Sequence, residues 1–392
     1  MCNNCDTSQS YKDDIKPIRV LEVIGGMNRG GAESMIMNLY RNVDKSKVQF
    51  DFLVHIKDKG LYDDEIESMG GRIYHMTRFK GYNSWAYYKN CCKFFEKHPE
   101  YKVVHGHIGS CAAFYLKAAK KYGAFTIAHS HSAASKAHKA HNAHDFFYRI
   151  FSYPTRYVAD QLFGCSTEAG ISRYGKKAVK SKKYRNFCNA IDLDQFVYST
   201  ATREKKRKEF NISDDKLVIA QIGRLTPQKN PPMIYAIFKD IVNADPHAIC
   251  LWVGTGEEEN EYREKINNEG YSDKIVMTGV RSDVPDILQA VDCFLFPSLW
   301  EGLPVSVIEA QAAGLPCVIA DTISKETEVS DLIEWHSLNE SPSLWAERCI
   351  TLGTNNREKR TSPIQKIREN GYDIKETAKW LTDFYVNHSL RK

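Results

Sequence analysis

The stretch Ile18-Arg-Val-Leu-Glu-Val-Ile24 is short and rich in β-branched residues, which predicts a strand buried inside a parallel sheet. A glycine-rich turn, Gly25-Gly-Met-Asn-Arg-Gly-Gly31, follows the strand, and residues 32–41 then have helical spacing. A strand, a tight turn and a helix in this order are typical of the first unit of a doubly wound α/β domain.

The alternation of strands and helices continues along the chain and then starts again. Further strands are predicted at 48–54, 72–75, 102–105 and 125–129, and helices at 85–97 and 111–121. A second series begins near residue 217, with strands predicted at 217–222, 248–253, 274–278, 292–296 and 316–320. We therefore predict an α/β fold of two Rossmann-like doubly wound parallel-sheet domains facing an inter-domain cleft. Ligands of such sheets bind beyond the carboxyl ends of the strands.

Four segments are expected from this pattern. Residues 1–17 are polar and predict a flexible tail, residues 18–188 an N-terminal domain, and residues 189–372 a C-terminal domain. Residues 373–392 contain an amphipathic helix, which we expect to pack back on the N-terminal domain.

The composition excludes several classes of protein. Of the 392 residues, 42% are hydrophobic and 26% charged, which excludes wholesale disorder. The sequence contains no run of about 18 apolar residues, so no transmembrane helix is predicted. The polar N-terminus does not resemble a secretory signal. The eleven cysteines are scattered, which favours reduced thiols and a cytoplasmic location. Cys2 and Cys5 have metal-type spacing, but no second pair matches them.

Charge is distributed unevenly between the two halves. Residues 1–190 carry 30 Lys and Arg against 17 Asp and Glu, whereas residues 191–392 carry 24 against 32. The first half contains a basic cluster and an aromatic run. The basic cluster consists of Lys176, Lys177, Lys180, Lys182, Lys183 and Arg185, and the aromatic run of Phe146, Phe147, Tyr148, Ile150, Phe151 and Tyr153. Taken alone, the first is also compatible with an ordinary solvated surface and the second with an ordinary core. Together they favour peripheral contact with the inner face of a membrane. Nucleic acid is not expected as a partner, because no nucleic-acid-binding motif occurs.

Two segments of the second half carry residues suited to binding a nucleoside diphosphate. In Gly223-Arg-Leu-Thr-Pro-Gln-Lys-Asn230, Arg224 and Lys229 can converge on a diphosphate, the first as a fork and the second as a point charge. In the segment Phe296–Pro316, Glu301 lies in a loop and Glu309 on the helix that follows. Because one carboxylate lies in a loop and the other on a helix, we expect each to accept hydrogen bonds from a different set of hydroxyls. The arrangement is less suited to a pair of carboxylates that act together as acid and base.

The segment Glu301-Gly-Leu-Pro…Glu309-Ala…Ala-Ala-Gly-Leu-Pro resembles the signature of the retaining GT-B glycosyltransferases of group 1, or family 4. The loop 223–230 resembles that family's diphosphate-binding segment, and the turn 25–31 its N-domain glycine loop. Asn189-Ala-Ile-Asp192 is similar to the inter-domain crossing, although Ala190 stands where Gly is usual and would make a left-handed backbone costlier. Ala128-His-Ser-His131 and Asp321–Glu326 resemble members of the capsule or exopolysaccharide type. The ordered set is far more specific than any one motif.

The resemblance implies a role for each matching residue. Glu309 would hold the nucleotide ribose, Glu301 the donor sugar, and Arg224 and Lys229 the diphosphate leaving group. His129 would lie near the donor sugar, with His131 as the alternative if the register differs. The remaining donor-binding positions come from glycine-containing turns and their neighbours: Gly30, Gly31, Gly279, Val280, Arg281, Gly302 and Leu303.

The expected function is transfer of a sugar from a nucleoside-diphosphate sugar, with a UDP-sugar favoured, to a glycan or polyprenyl-diphosphate-linked acceptor in surface polysaccharide synthesis. No cofactor and no metal are expected. Asp192-Leu-Asp194 lies in the crossing segment, and the histidines at 138, 141 and 144 favour a loop and helix over a zinc site. Two alternatives remain open, a non-catalytic nucleotide-sugar-binding scaffold and another GT-B enzyme such as a nucleotide-sugar epimerase.

Overall fold

The structure is a computed structural model that describes residues 16–28, 30–131, 150–357 and 359–390. The predicted flexible tail up to residue 15, the histidines at 138, 141 and 144, and the aromatic residues 146–148 lie outside the described residues.

The first sheet has seven parallel strands: β1 (Ile18–Ile24), β2 (Val48–Val54), β3 (Ile73–His75), β4 (Val103–Gly106), β5 (Phe125–Ser130), β6 (Gln161–Gly164) and β7 (Tyr184–Asn186). Their order across the sheet is β3-β2-β1-β4-β5-β6-β7. The strand order therefore reverses between β1 and β4, which is where ligands of doubly wound sheets bind. The helices of this half are α1 (Gly31–Asn42), α2 (Asp63–Ser68), α3 (Ser84–Lys97), α4 (Ala112–Lys121), α5 (Thr155–Val158), α6 (Thr167–Tyr174) and α7 (Lys176–Val179).

The second sheet has six parallel strands: β8 (Val218–Ile222), β9 (Ile249–Val253), β10 (Ile275–Gly279), β11 (Cys293–Phe296), β12 (Cys317–Ala320) and β13 (Ile333–His336). Their order is β10-β9-β8-β11-β12-β13. The helices around them are α8 (Thr200–Glu209), α9 (Pro231–Ala244), α10 (Glu259–Asn268), α11 (Val284–Ala290), α12 (Val305–Ala312), α13 (Pro342–Asn356) and α14 (Ile364–Glu369). The predicted fold class, two doubly wound parallel-sheet units, is confirmed.

Alternate residues of the first sheet enter different cores. Val20 and Phe50 belong to one buried cluster, whereas Leu21 and Leu53 belong to a second cluster on the opposite face. Successive side chains of a strand point to opposite faces, so both faces of the sheet are covered.

A last helix, α15 (Ile374–Ser389), packs on the first sheet although it follows the second sheet in the chain. Its buried face joins the same cluster as Val20 and Phe50 through Ile374, Ala378, Leu381 and Tyr385. None of the described helices combines the length and the apolar run that crossing a bilayer requires.

The crossing between the halves is held by the segment that leads into α15. The amide of Ile191 donates to the carbonyl of Tyr372 at 2.9 Å. Ala190 is buried, and the only non-glycine residues with positive φ in the described ranges are Asn211 and Asn230. The expected cost of a left-handed backbone at Ala190 therefore does not arise.

Candidate functional site

The loop 223–230 lies at the carboxyl end of β8, near the middle of the second sheet. A neighbouring loop packs against it so closely that a Cβ atom added at Gly256 would lie 2.0 Å from the carbonyl oxygen of Leu225. This approach requires a residue without a side chain. Gly256 thus allows the neighbouring loop to pack closely against the loop that carries Arg224 and Lys229, and so helps to position it.

The loop then turns sharply into α9. A single 3-10 turn covers Pro227–Lys229, and Asn230 adopts a left-handed conformation with φ of 61°. Asparagine is one of the few residues that enter this conformation routinely, and Pro231 at the first helical position is pre-organised for the helix. The Asn230 side chain also donates to the carbonyl of Pro297 at 3.2 Å, which ties this loop to the one that follows β11.

Lys229 and Glu301 meet where these two loops join. The Lys229 Nζ lies 2.7 Å from Glu301 Oε1, and the two side chains are only 14% and 10% exposed. Gln228 Nε2 donates to Glu301 Oε2 at 3.0 Å and to the carbonyl of Trp300 at 2.9 Å. Two of the predicted site residues therefore form one enclosed ion pair, and Gln228, inside the loop motif, is a third member that sequence reasoning missed.

Hydrogen-bonding capacity remains unused beside this pair. Glu301 Oε1 is at ion-pair distance from Lys229 but lacks the alignment of a hydrogen bond, and it has no other hydrogen-bond partner among the described residues. The amides of Gly302 and Leu303 donate no hydrogen bond within the described parts of the chain. Because α12 begins at Val305, its N-terminal partial positive charge lies directly beyond these amides.

Glu309 lies on α12, which ends before Gly314, a glycine with φ of +74°. Its side chain is partly exposed, but the surrounding protein removes enough water to raise the pKa of its carboxyl to about 7. No hydrogen bond or ion pair within the described ranges engages that carboxyl. The group is positioned to exchange hydrogen bonds with a ligand.

The first half approaches Arg224 through the glycine turn. Arg224 is exposed. Burial raises the pKa of the Glu33 carboxyl, and the nearby charge of Arg224 opposes that rise. Glu33 lies in the first turn of α1 and folds over Gly30, where an added Cβ would lie 2.3 Å from Glu33 Oε2. The predicted Gly30 and Gly31 therefore lie on the first half's side of the space near Arg224.

The segment 279–281 follows β10. Gly279 has φ of +68° and its carbonyl accepts from the amide of Gly254 at 2.9 Å. Val280 is exposed. The Arg281 guanidinium pairs with Asp283 at 2.6 Å and with Glu209 at 2.7 Å. The Arg281 side chain is therefore engaged by two carboxylates, whereas the neighbouring Val280 side chain is exposed.

His129 belongs to a buried group of four histidines, which we call the histidine cluster: His105, His107, His129 and His131. His129 is fully buried, whereas the side chain of His131 keeps some exposure. Burial lowers the pKa of all four imidazoles, so they are neutral near pH 7. Sequence reasoning missed His105 and His107, although the repeated His-x-His spacing at two strand ends was the available signal.

Glu22 on β1 is the acid of the histidine cluster. Its carboxyl accepts from His107 Nε2 at 2.7 Å and from the Tyr385 hydroxyl at 3.2 Å. Burial raises the pKa of this carboxyl to about 7, and the neighbouring His105 opposes the rise.

Asp192 and Asp194 make contacts within the crossing region. Asp192 accepts from Gln195 at 2.8 Å, and Asp194 pairs with Lys375 at the start of α15.

Comparisons with known proteins agree with this fold. Residues 202–370 match the family model described as glycosyl transferases group 1. The chain is 30% identical over 369 residues to the putative glycosyltransferase EpsF of Bacillus subtilis, covering 94% of this chain and 96% of that protein. It is 24% identical over 385 residues to the capsular polysaccharide biosynthesis glycosyltransferase CapH of Staphylococcus aureus, covering 95% and 100%. The crystal structure of Anabaena HepE in complex with UDP superposes with a TM-score of 0.76 at 15% identity, covering 94% and 100%; at this identity the likeness concerns the fold.

Proposed function

Because the chain belongs to the group 1 glycosyltransferases, and is therefore a sugar-transferring enzyme with a GT-B fold, we propose a specific reaction for it. It transfers a sugar from a UDP-sugar, with retention of the anomeric configuration, to a glycan or polyprenyl-diphosphate-linked acceptor. The product belongs to a surface polysaccharide, as the name of the CapH relative suggests.

The observation that carries this proposal is the enclosed Lys229–Glu301 pair beside unused backbone donors. As the glycosidic bond breaks, negative charge grows on the departing diphosphate. Lys229, Arg224 and the amides of Gly302 and Leu303 are pre-organised donors for that charge. Glu301 Oε1 is paired with Lys229 by charge but accepts no hydrogen bond among the described residues, so it could accept one from a sugar hydroxyl. The arrangement suits departure of a diphosphate better than activation of a protein nucleophile.

Glu309 and the glycine turn complete the proposed donor site. The unpaired Glu309 carboxyl would accept hydrogen bonds from the two ribose hydroxyls, and UDP is favoured as the nucleotide because HepE, which shares the fold, is described in complex with UDP. The Gly30–Gly31 turn would close over the diphosphate from the first half. The acceptor's proton would pass to the leaving phosphate, and no divalent cation is needed at the diphosphate because Arg224 and Lys229 supply positive charge.

The direct test is a panel of nucleoside-diphosphate sugars, assayed by release of the nucleoside diphosphate with and without lipid-linked acceptors. We expect release from a UDP-sugar only when an acceptor is present, at equal rates in EDTA and in Mg²⁺, with an α-linked product from an α-linked donor. Tight donor binding without turnover on any acceptor would indicate a scaffold. Conversion of the sugar nucleotide without an acceptor would indicate an epimerase.

We also propose that the first half contacts the inner face of the membrane, where a polyprenyl-linked acceptor would be held. Five basic side chains lie exposed on or near α7: Lys176, Lys177, Lys180, Lys182 and Arg185. Tyr153 and Tyr157 are exposed close by in sequence, and Arg156 stacks over the Tyr153 ring at 3.9 Å. Basic and aromatic side chains together suit anionic lipid headgroups.

Co-sedimentation with vesicles tests this contact. We expect binding to vesicles that contain phosphatidylserine at low salt, and loss of binding when Lys176, Lys177, Lys180 and Lys182 are all replaced by Glu. Equal recovery with neutral and anionic vesicles would contradict the proposal.

A further inference from the structure

The histidine cluster occupies one face of the first sheet at the ends of two neighbouring strands. β1 pairs with β4 so that Glu22 is opposite His105, and β4 pairs with β5 so that Gly106 is opposite Ala128. Because side chains alternate between faces, the two-residue spacing brings all four imidazoles to the face that carries Glu22: His105 lies on β4 and His107 directly after it, and His129 lies on β5 and His131 directly after it.

The four rings are close enough to share one ligand. Neighbouring ring centroids are 4.2 to 5.5 Å apart, and one nitrogen from each of His105, His107 and His129 lies within 4.8 Å of the other two. Several of the buried ring nitrogens have no hydrogen-bond partner among the described residues: His105 Nε2, both nitrogens of His129, and His131 Nδ1. Buried polar atoms are normally paired, so this concentration of unpaired nitrogens calls for a ligand.

The outer side of the cluster is already fixed. His105 Nδ1 lies 2.6 Å from the Tyr385 hydroxyl, which donates in turn to Glu22, and His107 Nε2 lies 2.7 Å from Glu22. A histidine that ligates a metal characteristically places its other nitrogen against a carboxylate or similar acceptor, which orients the ring. His105 therefore presents Nε2 inward and His107 presents Nδ1, which now contacts His131 Nε2 at 2.8 Å.

We propose that His105, His107 and His129 bind one divalent first-row transition-metal ion, with Zn²⁺ the best-suited species and His131 in position for the fourth ligand. Imidazole nitrogens suit zinc, cobalt and nickel, whereas Mg²⁺ and Ca²⁺ prefer oxygen ligands. Zn–N bonds of about 2.0–2.1 Å place tetrahedral ligands about 3.3 Å apart. The rings therefore need to close by about 1 Å or more, and the contact between His107 and His131 must open.

The site would join the ends of β4 and β5 to α15 through Tyr385. Its histidines all belong to the first half of the chain, whereas Lys229 and Glu301 belong to the second, and its test does not depend on the proposed reaction. Its role would be to fix the strand ends that border the cleft.

The test uses the full-length protein stripped of metal with a chelator and then titrated with Zn²⁺ or Co²⁺. We expect one tightly bound ion per chain by elemental analysis, a rise in melting temperature on adding Zn²⁺, and the intense visible absorption of tetrahedral Co²⁺. Absence of that absorption, or no stoichiometric binding, would overturn the proposal without reference to any variant.

Variants then assign the ligands. His105→Ala and His129→Gln should each abolish the Co²⁺ spectrum, and Glu22→Gln should weaken binding roughly 10- to 100-fold by removing the carboxylate that orients His107. His75→Ala, at the exposed end of β3, is the matched control and should bind normally. A variant with His138, His141 and His144 all replaced by Ala should also bind normally. If His105→Ala kept the Co²⁺ spectrum and the variant at His138, His141 and His144 lost it, the metal would bind elsewhere and the proposed ligands would be wrong.

Discussion

At the scale of single residues, the Lys229–Glu301 pair makes the sharpest prediction. Lys229→Ala should lower the transfer rate roughly 100- to 1,000-fold, because one pre-organised donor to the leaving group contributes about 3–4 kcal/mol. The measurement is the turnover number from nucleoside-diphosphate release, combined with the free energy of unfolding from urea titration.

Lys239→Ala is the matched control for Lys229→Ala. Lys239 also pairs with a glutamate, Glu269, but on the surface of α9, where an ion pair contributes only about 0–1 kcal/mol. It should change neither quantity appreciably. If Lys229→Ala lost stability in proportion to activity, the lysine would be structural.

Glu309 predicts a pH dependence of nucleotide binding. Its pKa of about 7 in the free protein lies above the ordinary value of a glutamate, so the carboxyl is largely protonated below pH 7. Ribose hydroxyls donate to the ionised form and favour it, so UDP affinity should fall as pH drops below about 7 and level off above it. Binding below pH 7 should release a proton, detectable by calorimetry in buffers of different ionisation enthalpy.

The variant Glu309→Gln separates the effect of the Glu309 carboxyl on the pH dependence of UDP affinity from the effect of the ligand's own phosphate. A terminal phosphate itself titrates near pH 6, and that contribution persists in the variant. The difference between native protein and variant therefore reports the carboxyl alone. Identical pH profiles would exclude Glu309 as the ribose acceptor.

The sequence could single out Arg224, Lys229, Glu301 and Glu309 as candidates, because each lies within a few residues of a glycine or proline that marks a strand or helix end, and their roles stay predictions. It could not reveal that Arg281 pairs with Glu209, since that contact joins segments about 70 residues apart. The histidine cluster was missed for a related reason. Its two His-x-His pairs are visible in the sequence, but that they become neighbours follows only from the pairing of β4 with β5, which the spacing alone does not predict.

At the scale of elements, the contact between loops predicts the effect of a single methyl group. Gly256→Ala would place a Cβ 2.0 Å from the Leu225 carbonyl and displace the loop that carries Arg224 and Lys229. We expect a loss of about 1–3 kcal/mol in unfolding free energy, the usual cost of overpacking. The turnover number should fall further than the loss of folded protein alone would explain.

Gly25→Ala is the comparison for Gly256→Ala. A Cβ at Gly25 meets no atom within 4 Å, so the folded protein should retain nearly all its stability. Normal turnover in Gly256→Ala would show that the loop 223–230 tolerates displacement and would weaken its assignment to the diphosphate.

The strands that the sequence predicts with correct bounds, β1 and β2, are seven residues long, and each contains five apolar residues. The strands that it misses, β6, β7 and β13, have three or four residues and contain polar side chains such as Gln161, Arg185 and Glu334. Their conformation comes from pairing with an already formed neighbour, so tertiary context determines it rather than their own composition.

At the scale of the whole molecule, Glu326 connects the two halves. Both of its carboxylate oxygens accept from the amide of Thr167, at 2.9 and 3.1 Å, at the first turn of α6. Glu326→Ala removes an anion from a helix N-terminus and should loosen the contact between the two halves. We expect a larger radius of gyration by small-angle X-ray scattering and a higher KM for the donor.

Glu328→Ala serves as the control for Glu326→Ala, because Glu328 accepts instead from Trp335 within the second half. It should leave the radius of gyration and KM unchanged. The same radius for both variants would mean that other contacts hold the halves together.

The position of α15 has a consequence for biosynthesis. The ribosome makes this helix after both sheets, yet the helix covers the face of the first sheet that carries Val20, Phe50 and Glu22. While translation continues, α1 already packs on that face, but the part that α15 covers stays open, and nascent chains with uncovered apolar surface are prone to aggregate. The half translated first therefore cannot complete its core until α15 has been made, after the second sheet.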